Sequence, residues 1–425
     1  MTMKVLWFAG GAASHSPEQN KTKSRFQASG WVSQLRSEML RRDDIELGIC
    51  FDGNGVEESF AEYGVKYYTY VAHIRNLKNK LYDLFHPNDE KHDKVFWSHY
   101  INRFKDVIND YKPDVIEVFG SEVYLQLSAI AAKELNVPCV LHIQGILSLC
   151  EYIVLPPGMS KWSYVFSASS LKGAYSNYQV LSAWKKSVYR EKAILASVPH
   201  VIGRTEWDKQ GAAMLAPQAV YHYGGEMLKP AYYESAERTL PNKPIIISTI
   251  SAPSYKGLDV VLKTADILKN QLELDFEWRV FGNVNLKLAE KITNLKHDDL
   301  NVVLKGVATA EVLKEELLHC TAYCHPSYIE NSPNSVCEPQ LLGIPVVASN
   351  VGGTSSLVEH DKTGFLFPVT DPYTAAYHIW QLMIDRERNE VIGKQAKEVA
   401  SKRHNLKDIA DQLVCVYKKM LEIHE

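Results

Sequence analysis

A chain of 425 residues exceeds one ordinary domain and points to two. With 46% apolar and 10% aromatic residues both halves can bury a core, which excludes a disordered or collagen-like chain. A net charge of −3 argues against a nucleic-acid binder that relies on bulk positive charge.

No apolar run approaches roughly 18 residues, so no transmembrane helix is expected. The first residues, from Met1 to Gly10, read as a β-strand ending in glycines, not as a signal peptide. Seven cysteines without a C-x-x-C motif fit a reducing cytosol, so a cytoplasmic location is expected.

Strand patterns fall at Lys4–Ala9, Ile45–Phe51, Asp114–Phe119, Pro138–Ile143 and His200–Gly203. Helical patterns lie between them, at Gly30–Arg41, Phe96–Asn109, Val123–Leu135 and Thr205–Leu215. Strand and helix in alternation predict a parallel sheet covered on both faces. Residues 73–98 and 146–180 break the rhythm and read as an insertion and an irregular loop, of the kind that serves as a lid or an acceptor loop. Lys185, Lys186, Arg190 and Lys192 read first as a solvated basic face, and second as a contact for an acidic lipid or acceptor. Peripheral contact with the inner face of the membrane is therefore a further expectation.

Gly224–Lys243 holds two glycines and two prolines with little periodicity, and predicts a seam. The alternation then restarts. Strands are expected at Pro244–Ser248, Phe276–Phe281, Asn301–Leu304, Thr321–His325 and Pro345–Ala348. Helices are expected at Leu258–Asn270, Leu286–Asn294, Thr309–His319 and Pro333–Leu342. The class is α/β, with two doubly wound domains in tandem at 1–225 and 243–405. A last amphipathic helix, Leu406–Ile423, carries Ile409, Leu413, Val416, Tyr417 and Met420 on one side and must dock on an existing surface.

The densest chemistry lies in 325–348. It reads as strand, loop, helix, turn, strand, with Ser332 as N-cap, Pro333 in the first helical turn and Gly343 at the helix end. A helix that starts at the carboxyl edge of a parallel sheet is an anion site, apt for phosphate. Asn331, Asn334 and Glu338 fall near one face, Ser335 lies beside them, and Glu330 precedes the helix. Pro339 removes a bond inside that helix, so a short or kinked helix is expected.

This segment resembles the glycosyltransferase family 4 signature, two glutamates separated by seven residues, here Glu330 and Glu338. Pro326-Ser327, Gly343-Ile-Pro-Val-Val-Ala348, Asn350-Val-Gly-Gly353, Tyr255-Lys256-Gly257 and Lys362-Thr-Gly364 match as well, and the likeness is dense over 244–372. Before that it rests on Gly10-Gly11, His142-Ile-Gln-Gly145 and Gly203-Arg-Thr-Glu-Trp-Asp208. The resemblance implies the GT-B arrangement: two Rossmann-like domains facing a cleft, with the last helix crossing back to the first. It also implies a retaining transfer of a hexosyl unit from a UDP-, GDP- or ADP-sugar to a hydroxyl of a saccharide or lipid-linked acceptor, in polysaccharide or glycan synthesis. By the same resemblance Glu330 contacts the hexose, Glu338 the ribose, and Lys256 the diphosphate, with helix-start amides at Asn334 and Ser335. His142 faces the sugar. Gly10 and Gly11 let backbone approach the phosphates, and the base lies near Gly306 and Val307.

One position departs. The family carries an arginine five residues before the lysine; here it is Ser251, and Arg204 and Arg279 are the candidates for the missing cation. No metal and no cofactor is expected: His319, Cys320, Cys324 and His325 lack a second pair at zinc spacing, and Gly10-Gly11 lacks the full dinucleotide fingerprint. The alternatives are a nucleotide-sugar epimerase on the same fold and a non-catalytic nucleotide-sugar-binding protein.

Overall fold

The computed structural model describes residues 2–10, 31–53, 55–72, 82, 90–151, 153, 155–168 and 170–424. In the first domain β1 (Met3–Phe8), β2 (Ile45–Asp52), β3 (Ser59–Glu62), β4 (Val65–Tyr70), β5 (Val115–Phe119), β6 (Cys139–His142), β7 (His200–Gly203) and β8 (Val220–Tyr223) form one sheet. Its order is β3-β4-β2-β1-β5-β6-β7-β8, parallel throughout except at the β3–β4 edge. The inner strands are buried on both sides and apolar apart from Lys4, Glu117, His142 and His200, as a parallel sheet under two helix layers requires. The helices are α1 (Trp31–Met39), α2 (Glu90–Tyr111), α3 (Ser128–Glu134), α4 (Leu147–Cys150), α5 (Lys161–Val165), α6 (Leu171–Leu195) and α7 (Glu206–Leu215).

The second sheet joins β9 (Ile245–Thr249), β10 (Glu277–Phe281), β11 (Val302–Gly306), β12 (Ala322–His325), β13 (Val346–Ser349) and β14 (Gly364–Phe367) in the order β11-β10-β9-β12-β13-β14, all parallel. Its helices are α8 (Leu258–Asp266), α9 (Leu286–Thr293), α10 (Ala310–Leu318), α11 (Asn334–Leu342), α12 (Pro372–Ile384) and α13 (Arg386–Arg403). The final helix, α14 (Leu406–His424), packs Ile409, Leu413, Val414, Val416, Tyr417 and Met420 into the core under the first sheet, beside Trp7, Ile49 and Phe119. The fold is two facing doubly wound α/β domains with a returning C-terminal helix, the GT-B arrangement.

The structure departs from the sequence reading in several places. The irregular loop expected at 146–180 is mostly helical: Ser160 and Ser170 each accept a bond from the amide three residues on, and these caps start α5 and the 25-residue α6. Arg190 is not part of a solvated face. It is buried, lies 4.3 Å above the Tyr124 ring and donates to the Glu122 carbonyl. The expected insertion at 73–98 falls partly outside the described residues, and its last part belongs to α2. The helix expected to run to Asn270 changes to a wider π turn over Ile267–Gln271. The edge strands β3, β8 and β14, and β4 beside β3, were not expected.

Candidate active site

In the second sheet β9 lies between β10 and β12, the point where strand order reverses and a crevice opens at the carboxyl ends. Two loops meet there. The one leaving β9 turns over Ser254–Lys256 and closes at Gly257, whose φ is +78°. A Cβ on Gly257 would lie 2.1 Å from the Pro326 carbonyl oxygen, so only glycine lets this loop touch the one leaving β12. The contact sets Lys256 Nζ 2.5 Å from Glu330 Oε1, with His325 Nε2 3.5 Å from the same oxygen. Burial works to raise Glu330, but the contact with His325 and the charge of Lys256 outweigh it and hold the carboxyl at about 2. Lys256 is raised by Glu330 against its own burial. Both stay charged across neutral pH.

Glu330 leads into α11. The N-cap is Pro333, not Ser332, and the helix starts at Asn334. Ser332 turns its hydroxyl to Glu226 Oε2 at 3.3 Å instead. Val336 makes the first helical bond, to the Pro333 carbonyl at 2.8 Å, so the amides of Asn334 and Ser335 lie in the unbonded first turn. The Asn334 Oδ1 atom is buried without a hydrogen-bond partner among the described residues, and Ser335 Oγ is 3.4 Å from His325 Nδ1. Pro339 does not end the helix, which runs on to Leu342 and stops at Gly343 with φ +81°. Glu338, one turn beyond Asn334, is 6% exposed beside the Tyr232 hydroxyl. Burial pushes its carboxyl up to about 7, against the pull of Lys229. The two glutamates of the pair thus hold protons over very different ranges.

The first domain supplies the opposite wall. Gly10 lies exposed just after β1, with no atom of the described residues within 4 Å of an added Cβ, and Gly11 lies outside the described residues. His142 ends β6, with its ring 4.8 Å from that of Trp31 and Nδ1 2.7 Å from Glu117. Its Nε2 atom is buried without a partner among the described residues. Arg204 stands over Trp31 and pairs with Glu226 at 2.6 Å. Glu226 in turn meets Ser332 and Asn334, so a polar chain crosses from one domain to the start of α11. Asn331 does not line a ligand face of the helix: its side chain bridges the domains, to Thr205 Oγ1 at 2.7 Å and the Gln144 carbonyl at 3.2 Å.

Sequence reasoning missed Trp31, Tyr232, His325 and Glu226. His325 had a signal, its place at the carboxyl end of a strand just before Glu330; the other three had none. Of the two cations weighed against Ser251, Arg279 is held by Glu277 and Glu316 on β10 and α10. Arg204 alone stands in the cleft. Gly306, with φ +70°, ends β11 and the exposed Val307 follows it, on the far side of β10 from Lys256. Cys320 and Cys324 are buried thiols, and among the described residues no group of three or more acidic, cysteine or histidine side chains is arranged for a metal ion. A cavity of about 540 Å³ beside α10, lined by Glu234, Arg279, Glu311 and Glu316, contains none of these site residues.

Residues 234–399 match the family model of glycosyl transferases group 1. The chain is 28% identical over 303 residues to the sulfoquinovosyl transferase SQD2 of Arabidopsis thaliana, covering 69% of this chain and 54% of that one. It is 28% identical over 179 residues to the amylovoran biosynthesis glycosyltransferase AmsK of Erwinia amylovora, covering 40% and 44%. The chain thus spans about half the length of these two relatives. Among solved structures, that of Anabaena Alr3699/HepE in complex with UDP and glucose superposes with a TM-score of 0.62, at 17% identity, over 98% of this chain and 100% of that one. The family match thus lies over residues 234–399, and the chain as a whole has the GT-B fold.

Proposed function

We propose that the chain is a retaining glycosyltransferase. It moves a hexosyl unit from a nucleotide-diphosphate sugar to a hydroxyl of a saccharide or lipid-linked acceptor in polysaccharide or glycan synthesis. The observation that carries this reading is Lys256, fixed at the strand-order reversal beside the first turn of α11. The bond from the anomeric carbon to phosphate breaks, and its electron pair leaves with the diphosphate. Lys256 and the amides of Asn334 and Ser335 meet that growing charge, with no metal needed. The acceptor oxygen bonds to the same face of the anomeric carbon and its proton passes to the departing phosphate oxygen. Glu330 is tied to Lys256 and is thereby a weak nucleophile, so its part is to hold the sugar hydroxyls. Glu338 holds the ribose, and the UDP in the Anabaena structure supports a nucleoside diphosphate as the group bound.

No described helix is long and apolar enough to cross a membrane. Peripheral contact is supported by exposed Trp162, Phe166 and Leu171 beside Lys161 and Lys172, an aromatic and basic mixture suited to a headgroup layer. The work is assigned to the cytoplasm. The test is nucleotide release from UDP-, GDP- and ADP-sugars, with and without acceptor, in excess EDTA. Release that needs acceptor and survives EDTA is expected. Loss in EDTA with recovery on Mn²⁺ overturns the metal-free reading. Sugar interconversion without acceptor points to an epimerase, and tight binding without release to a non-catalytic protein.

A further inference from the structure

Glu117 is an acid in the middle of β5, a strand whose other members are all apolar, and it is 0% exposed. An unpaired carboxylate there would cost several kcal/mol, so it needs partners. It has two. Oε1 is 2.7 Å from His142 Nδ1, and Oε2 accepts from the Tyr417 hydroxyl. Tyr417 comes from α14, the returning helix, and its oxygen accepts from Trp7 Nε1 at 3.0 Å. The chain therefore runs Trp7, Tyr417, Glu117, His142, fully buried, and ends at His142 Nε2, a buried ring nitrogen with no partner among the described residues. Trp31 and Phe119 hold the imidazole ring at 4.8 and 5.5 Å.

We propose that Glu117 and Tyr417 are positioning residues of the transfer reaction: they commit Nδ1 of His142 and leave Nε2 alone to meet a hydroxyl of the sugar in the cleft. The inference rests on the glycosyl-transfer reading above. The proton inventory closes in both charge states of Glu117. An ionised Glu117 accepts from Nδ1–H, and Nε2 offers a lone pair. A protonated Glu117 donates to Nδ1, and Nε2 offers N–H. Either way the sugar meets one defined hydrogen-bonding atom. Burial pushes Glu117 up to about 8, with Tyr417 pulling against it, while burial and then Arg204 keep His142 uncharged. The other titratable neighbours are Arg204, itself paired with Glu226, and the Cys139 thiol.

A purely structural carboxylate would leave the turnover of the folded protein unchanged on replacement, whatever its loss does to stability. Loss of a positioning carboxylate lowers that turnover. Glu117→Leu strands the Tyr417 hydroxyl and Nδ1 of His142, so a lower melting temperature is expected; in the folded protein the affinity for UDP should hold while acceptor-dependent turnover falls by about tenfold or more. Glu117→Gln, which keeps a bond to Nδ1, is expected to retain most of the turnover. Tyr417→Phe should fall between them. In a His142→Ala background Glu117→Leu should cost nothing further. Turnover of Glu117→Leu within twofold of the starting protein, or an equal loss in the His142→Ala background, overturns the proposal. A readout free of activity keeps it separate from the functional reading: ¹⁵N spectra of His142 should report one tautomer at each pH limit and a tautomer mixture in Glu117→Leu. If the starting protein releases no nucleotide, the functional reading fails while those spectra still decide the positioning; a tautomer mixture already in the starting protein sinks the positioning alone.

Discussion

Lys256 and Glu330 neutralise each other before any ligand arrives, and that shapes what each substitution should do. Glu330→Gln frees Lys256 for phosphate, so UDP affinity is expected to hold or rise while sugar transfer falls. Lys256→Ala removes the charge that grows in importance as the phosphate departs, so it should reduce turnover more than UDP affinity. Calorimetric UDP binding beside nucleotide-release kinetics decides it, and near-native turnover in Lys256→Ala removes the residue from the site. The same pair makes a pH prediction. Glu330 is held at about 2, below its usual value near 4.5, so its stabilising pair is complete above about pH 4.5 and lost as pH falls toward 2. A shift of that size is worth on the order of 3 kcal/mol. Glu330→Gln, which strands Lys256, should be less stable at pH 7, with the gap to the starting protein narrowing between pH 4.5 and 2. A gap that stays constant across that range would mean that Glu330 is not charged in the fold. Urea midpoints over the range provide the measurement.

Two glycines end turns around the site with nearly the same backbone angle and different neighbours. Gly257 has φ +78° and a carbonyl 2.1 Å from the place of a Cβ; Gly343 has φ +81° and nothing closer than 3.5 Å. Gly343→Ala meets only the left-handed backbone cost, about 1–2 kcal/mol. Gly257→Ala adds a backbone clash that pushes the Lys256 turn off the Pro326 loop, so a larger loss of stability and weaker UDP binding are both expected. Equal melting temperatures for the two variants would sink the close-contact argument. The same comparison shows what could be read from the sequence. Gly343 followed a helix pattern and was legible as its end. Strands β9 to β13 were legible because each is a short apolar run between helical repeats. β8 was not, since as an edge strand it is half-exposed and carries His222 and two tyrosines. α6 was hidden by serine, tyrosine and glycine in a long polar helix with a narrow buried stripe. In the site, Glu330 and Glu338 follow from local pattern, and Lys256 from the family resemblance. Glu117 and Tyr417 sit 300 residues apart, and nothing local marks a pair that only the returning helix brings together.

At the level of the whole chain, the two domains share a small polar contact, and Asn331 is at its centre. It accepts from Thr205 Oγ1 and donates to the Gln144 carbonyl, while the Glu206 amide reaches Ser356 Oγ at 3.1 Å nearby. On the second-domain side these contacts come from Asn331, on the loop between Glu330 and α11, and from Ser356, on the glycine-rich loop after β13 that backs it. The position of the sugar-end carboxylate is therefore coupled to closure of the cleft. Bare UDP is assigned to the second domain alone, so closure should matter for transfer and not for UDP binding. Asn331→Ala removes two hydrogen bonds at about 1 kcal/mol each, which bounds the shift toward the open form at roughly 30-fold. Turnover is expected to fall within that bound, with UDP affinity within twofold and Thr205, still bonded to the Asp208 amide, keeping α7 capped. If UDP affinity falls as far as turnover, Asn331 acts inside the second domain and the two halves of the site are not coupled through it.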